Sequence, residues 1–189
     1  MARTEMTALI GRVRDLIQDP AGTDQVFDDD QIEAVLDVWR LEVRQEELSP
    51  VATRSAAGDQ YLFFRSDYGD FEAGVTLEDA GYVAIDSADF TADDVAGTWS
   101  FDAEPNYPIY ISGHAYDPYG AAADLMDRKV ANGADLYDWS ADGGSYKQSQ
   151  IYSQLTEFAE YLRRRQKGYG FHFNGVAVMV RTDVPEFYS

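Results

Sequence analysis

The chain is 189 residues long, 45% hydrophobic and 14% aromatic, and carries a formal net charge of −19. That length allows one domain with a real core, and the aromatic content argues for folding in spite of the charge. Cysteine is absent, which excludes disulfides and thiolate metal sites, and no run approaches the ~20 apolar residues of a membrane-spanning helix.

Met6, Leu9, Ile10, Val13, Leu16 and Ile17 recur at helical spacing until Asp19-Pro20 and Gly22 break the pattern, which predicts a first helix over about 4–18. Asp28 with Gln31 three residues on reads as a capped start, stapled by Val26 or Phe27. The stripe Ile32, Val35, Leu36, Trp39 and Val43 then predicts a second helix over about 29–45, with Trp39 in the core. Ser49 to Gly58 is small and polar and reads as a loop.

Short β-prone runs follow at Tyr61–Phe64, Phe71–Leu77 and Tyr82–Ile85, with turns at 67–70 and 78–81. A second β pair is expected from Thr98–Phe101 and Ile109–Ser112, across a segment holding Pro105 and Pro108. Together they suggest a small antiparallel insertion, a meander or barrel, over about 60–114.

Asp117 followed by Pro118 is a strong helix start, since proline's missing N–H would be unpaired there anyway; it predicts a third helix over about 118–132. Ala121, Ala122 and Ala123 would let that helix approach its neighbours closely. After a short aromatic and acidic connector, Ser145 with Gln148 reads as a capping box. Ile151, Tyr152, Leu155, Phe158, Ala159 and Leu162 form the stripe of a fourth helix over about 146–167. Its end, Arg163, Arg164, Arg165 and Lys167 before Gly168, is explained by the helix dipole and a glycine cap. Tyr169, Phe171, Phe173, Val176, Val178, Val180 and Phe187 give the tail a β character around Asn174-Gly175. An extended arm or hairpin over 169–189 is expected, beyond a main domain of 1–168. The expected fold is therefore α+β: a helical bundle of about four helices with a small antiparallel β insertion and a C-terminal arm.

Charge is distributed unevenly. No Lys or Arg falls between Arg65 and Arg128, while Asp67, Asp70, Glu72, Asp93 and Asp94 are among the acids that do. Such a surface repels phosphate, so this region is no nucleic-acid grip; a solvated acidic face is its plainest explanation. The opening MARTEMTALIGR lacks an apolar leader, and a soluble, unexported chain is expected.

The residues give little to an enzyme. His114 and His172 lie in separate strand-like segments without metal-ligand spacing. Asp28-Asp29-Asp30 lacks the spaced ligands and glycine turn of a calcium loop. Gly143-Gly144 precedes a helix, but Lys147 is not at the position a phosphate loop requires. The acidic pairs of the β region cannot be placed at a glycosidase separation from sequence. No catalytic residue, metal or cofactor is expected.

Three stretches carry a resemblance. YDPYGAAADLMD followed by WSADGGSYKQSQ, the opening LIGRVRDLIQDPAGTDQVFDDDQIEAVLDVWR, and the intervening YLFFRSDYGDFEAGVTLED and GTWSFDAEPNYPIYISGHAYD resemble the head-tail connector (adaptor) proteins of tailed bacteriophages and prophages. The similarity runs from Thr4 to Gln166 and rests on packing and capping motifs. It implies a virion protein of the neck, assembled in the host cytoplasm as a ring beneath the portal, dodecameric by analogy. Its partners would be the portal ring, neighbouring copies and a downstream neck or tail protein, with double-stranded DNA passing through unbound and no membrane involved. The arm residues named above would attach to the portal or a neighbour, the alanines would serve helix packing, and the acids would line the channel or face solvent. The alternatives are another neck or stopper component, or a β module outside tail assembly that binds a carbohydrate or a basic protein. For the last, Tyr61, Tyr68, Tyr82, Trp99, Tyr107 and Tyr110 would supply the stacking surfaces.

Overall fold

A computed structural model describes residues 2–55, 58–133, 139–141, 144–146 and 148–167. Helix α1 (Thr7–Ile17) follows a short 3-10 turn at Thr4–Met6 and buries Leu9, Ile10, Val13 and Ile17. Helix α2 (Asp29–Leu36) begins with the expected reciprocal box. The Asp28 carboxylate accepts the Gln31 N–H at 2.7 Å, and the Gln31 amide oxygen accepts the Asp28 N–H at 3.0 Å. Phe27 is buried just before it whereas Val26 is exposed, so Phe27 is the staple. Helix α3 (Pro118–Gly133) starts at the predicted proline, and α4 (Gln148–Arg163) packs along it. The expected capping box at Ser145 is a correction: its backbone belongs to a short strand, Gly144–Tyr146, and α4 begins only at Gln148, while the Ser145 side chain lies outside the described residues.

Helix α3 is the centre of the helical layer, touching α1, α2 and α4. Ala121, Ala122 and Ala123 are fully buried there, and each buried Leu or Ile around them contributes roughly 1.5–3 kcal/mol. Gly120 is required by the same closeness: a Cβ at that position would lie 2.6 Å from the Trp39 ring. Trp39 is core, as expected, and its indole N–H donates to Asp124 at 2.9 Å. Among the described side chains of α4, Ala159 and Leu162 are buried, with Leu155 and Phe158 packed at the margin and Ile151 exposed.

The expected helix over 29–45 is a correction. Helix α2 stops at Leu36, a 3-10 turn covers Asp37–Trp39, and Arg40–Glu47 is strand β1. Trp39 and Val43 fit a helical stripe, but Leu41 and Val43 equally fit alternation, and antiparallel pairing with β7 (Tyr110–Tyr116) decides it. The segment read as a loop holds β2 (Ser49–Ser55), an edge strand, where Pro50 is tolerated because an edge lacks one ladder. It pairs with β3 (Gly58–Arg65).

Of the two strands predicted over 71–77 and 82–85, only β4 (Thr76–Glu78) forms; Phe71 and Ala84 make isolated bridges. β5 (Phe90–Asp93) is an exposed edge strand whose pattern gave no signal, and β6 (Thr98–Phe101) lies between it and β3. β6 therefore does not pair with the strand after the prolines: β6 and β7 belong to different sheets, ordered β2-β3-β6-β5 and β1-β7-β4. A further hairpin, β8 (Trp139–Ala141) with β9 (Gly144–Tyr146), occupies the connector before α4.

Among the described residues the fold is α+β with four α-helices, two antiparallel sheets and this hairpin, more sheet-rich than a bundle with a small insertion. The two sheets share one core. Val43, Leu77, Ile109, Ile111 and Ala115 on one side meet Phe64, Trp99 and Phe101 on the other. Buried Leu48, the single residue between β1 and β2, marks where the chain changes sheet, and its N–H donates to Ile109 O at 2.8 Å.

Candidate functional site

Two polar constellations stand out, one at the junction of helices and sheets and one on the outer face of β1-β7-β4. At the junction, Asp70 is fully buried in a loop ahead of β4. Its Oδ1 lies 2.6 Å from Arg12 of α1, and its Oδ2 lies 2.6 Å from Nζ of Lys167, just past α4. Asp117, also fully buried, caps α3 by accepting the N–H groups of Tyr119 and Gly120 with Oδ1. Its Oδ2 accepts the Lys167 N–H at 2.8 Å. Lys167 is thus held by main chain and side chain to two carboxylates, a role beyond the dipole of α4.

Beside it, Glu72 receives three partners: Arg3 at 3.1 Å, the Tyr116 hydroxyl at 3.0 Å and His114 Nδ1 at 3.3 Å. Burial first, and then the Glu72 charge, push the Tyr116 hydroxyl far above the ordinary tyrosine range, so it is a donor throughout neutral pH. Arg3 also grips Glu33 and Asp37, and these carboxylates raise its pKa although burial pulls the other way. The group fastens the first residues of the chain to α2 and the sheet. An acid, a base and a hydroxyl meet at Glu72, and each is committed to a neighbour there.

Asp70 and Glu72 therefore do not belong to an acidic channel or solvent face. Both are consumed in ion pairs that bind helices to sheet. Asp67 and Asp93 are exposed, and the Asp93 carboxylate accepts the Ala96 N–H at 2.9 Å. Asp94 is half-buried, and burial followed by the nearby Asp93 charge raises its pKa. Ala121, Ala122 and Ala123 serve helix packing inside the chain itself, with no area left for a neighbouring copy. The arm residues Tyr169, Phe171, Phe173, Val176, Val178, Val180 and Phe187 lie outside the described residues, as does His172.

The outer face of the first sheet is built by register. Tyr110 of β7 pairs with Glu47 of β1 on one side and Glu78 of β4 on the other, so a tyrosine sits between two carboxylates in one cross-strand row. The Tyr82 ring stacks on Tyr110 with centroids 5.2 Å apart and planes inclined by 11°. The Tyr107 hydroxyl donates to Glu47, which together with desolvation raises its pKa; desolvation and the bond to Tyr82 do the same for Tyr110. Of the other aromatic candidates, Trp99 is fully buried in the β core, Tyr68 is half-buried and Tyr61 is exposed on β3. Set against protein-family models, curated proteins and solved structures, the chain matches none.

Sequence reasoning missed Arg14, a buried arginine that organises the loop between α1 and α2. Its Nη1 donates to Asp19 O and its Nη2 to Phe27 O, both at 3.0 Å, and Nη2 also reaches Asp29 at 2.6 Å. The signal was present: Arg14 stands four residues after Ile10 and three before Ile17, on the apolar stripe itself.

Proposed function

We propose that this chain is a structural component of a tailed-phage or prophage particle, a head-tail connector that forms a ring under the portal, extends the DNA channel and receives the next neck or tail protein. The observation that carries the reading is how the resembling stretches pack. The opening pair α1 and α2 and the closing pair α3 and α4 form one helical layer, and the strand region inserted between them is fastened to that layer by Asp70 and Glu72. A subunit of this kind works by geometry, and many repeated weak contacts make a stable ring. Exposed carboxylates such as Asp67 and Asp93 suit a surface past which DNA slides without binding.

Native mass spectrometry of the purified chain, alone and mixed with the portal ring encoded nearest its gene, tests this. A discrete ring-on-ring complex with matching or symmetry-related copy numbers is the expected result. A chain that stays monomeric and ignores the portal would remove the connector assignment.

A further inference from the structure

We propose that the outer face of the β1-β7-β4 sheet, centred on Tyr82 and Tyr110, docks a cationic segment of a partner protein, with arginine or lysine side chains laid against the tyrosine rings and met by the flanking carboxylates. The surface is independent of the connector reading and would serve such a partner inside a particle or outside one.

The first argument is backbone strain. Tyr82 has φ +59, the left-handed region that an aromatic residue rarely occupies and that glycine or asparagine fills without penalty. The loop that imposes it is fastened repeatedly. Asp79 Oδ1 accepts the N–H groups of Gly81 and Val83 at 2.8 and 3.0 Å, and the Asp79 and Tyr82 N–H groups donate to Val83 O and Asp79 O. Ala80 N–H is tied to Asn106 O at 3.2 Å as well. This rigid construction buries neither Tyr82 nor Val83, which remain 59% and 63% exposed. A strained, over-determined turn whose product is an exposed aromatic ring next to a second one points to recognition rather than to the fold's own stability.

The second argument is charge. Glu47 and Glu78 flank Tyr110, and Asp79 is kept ionised by the two backbone donors that lower its pKa. The sequence offers no Lys or Arg from residue 66 to 127, and Arg44 on β1 is engaged by Glu42 at 2.7 Å. Tyrosine faces edged by carboxylates attract a guanidinium or ammonium group by ring quadrupole and charge together. The same field repels phosphate, and a second copy with net charge −19 is a poor occupant.

The test is an NMR titration of the full chain, at physiological salt, with a capped hexapeptide of alternating arginine and glycine, and with its citrulline counterpart of the same shape but no charge. Shifts confined to Tyr82, Val83, Tyr107, Tyr110, Glu47 and Glu78 are expected, with much weaker binding of the citrulline peptide. Tyr82→Gly leaves the net charge unchanged and suits the positive φ, so the fold is expected to hold; it should weaken the arginine peptide about fivefold. Glu78→Gln, which keeps both rings, should also weaken it. Shifts scattered over carboxylates across the molecule, or equal affinity in Tyr82→Gly, would overturn the proposal. So would concentration-dependent self-association through these residues, or a cello-oligosaccharide that perturbs them where the peptide does not.

Discussion

The helical layer and the sheet pair treat buried charge in opposite ways. On the helical side each buried charge is matched. Arg14 is closed in by Asp19, Asp29 and two carbonyls, and the Asp19 carboxylate accepts the N–H groups of Val26 and Phe27. In the sheet pair, Glu46 and Asp94 each keep one carboxylate oxygen shut away from water with no donor. Matched charges fix a loop in one conformation, whereas an unmatched acid stores a cost that protonation can remove. Asp70 lies between the two cases: Lys167 donates to its Oδ2, whereas its buried Oδ1 has the Arg12 guanidinium 2.6 Å away as an ion pair but accepts no aligned hydrogen bond.

Breaking the matched side gives the largest effect. Arg14→Met removes the donors to Asp19 O and Phe27 O and leaves the Asp19 carboxylate buried without its cation, an expected loss of about 3–5 kcal/mol. Thermal unfolding should fall by roughly 10 °C for a chain of this size. Asp19→Asn added to Arg14→Met should give no rescue, because one of the two oxygens that accept the Val26 and Phe27 N–H groups becomes an amide nitrogen that cannot accept. A single variant melting close to the parent would show that the guanidinium does not hold the loop.

Asp70→Ala comes next. The side chains of Arg12 and Lys167 are 32% and 28% exposed, so both cations can turn to water once the carboxylate is gone, and the expected loss is about 2 kcal/mol rather than the full cost of a stranded buried ion. Lys167→Met alone should cost less, and the double variant should be less destabilised than the sum of the two by about 1 kcal/mol. Strict additivity would mean that Lys167 and Asp70 are neighbours without being coupled.

The same contrast explains what could be read ahead of the structure. Helix starts were legible because their determinants are local: Asp28 with Gln31, and Asp117 with Pro118, satisfy backbone donors within one turn. The sheets were legible only where a strand carries its own apolar residues, as Tyr61–Phe64 and Thr98–Phe101 do. β2 and β5 are edge strands with polar, small or exposed residues, and β1 shares Val43 with a helical stripe, so only pairing with distant strands reveals them. Partner choice between strands was equally hidden, which is why β6 and β7 were read as a pair. The tyrosines of the outer face could be named from sequence, but their assembly could not. Tyr82 reaches Tyr110 through a left-handed turn, and Tyr110 meets Glu47 and Glu78 only through sheet register.

The smallest effect tests the unmatched side. Glu46 lies in register with Ile111, which pairs in turn with buried Leu77, so alternation aims its side chain toward the β core. Burial raises its pKa, while the Asp67 N–H and the Ser66 hydroxyl, both donating to Oε1, only partly oppose the rise. A raised carboxyl pKa means that the folded state holds the proton more readily than the unfolded chain. The group costs nothing extra below the ordinary glutamate range near pH ~4.3; the cost enters as pH rises through the raised folded value and is complete above it. Glu46→Gln keeps the shape and the carbonyl acceptor, so it should raise the melting temperature at pH 7.5 and leave it unchanged at pH 4. The side chain is partly open to solvent, which screens the charge, so the gain should be smaller in size than the loss at Asp70. Taking the difference between variant and parent at each pH cancels the titration of the other carboxylates. A gain of equal size at both pH values would assign the effect to packing and not to the proton.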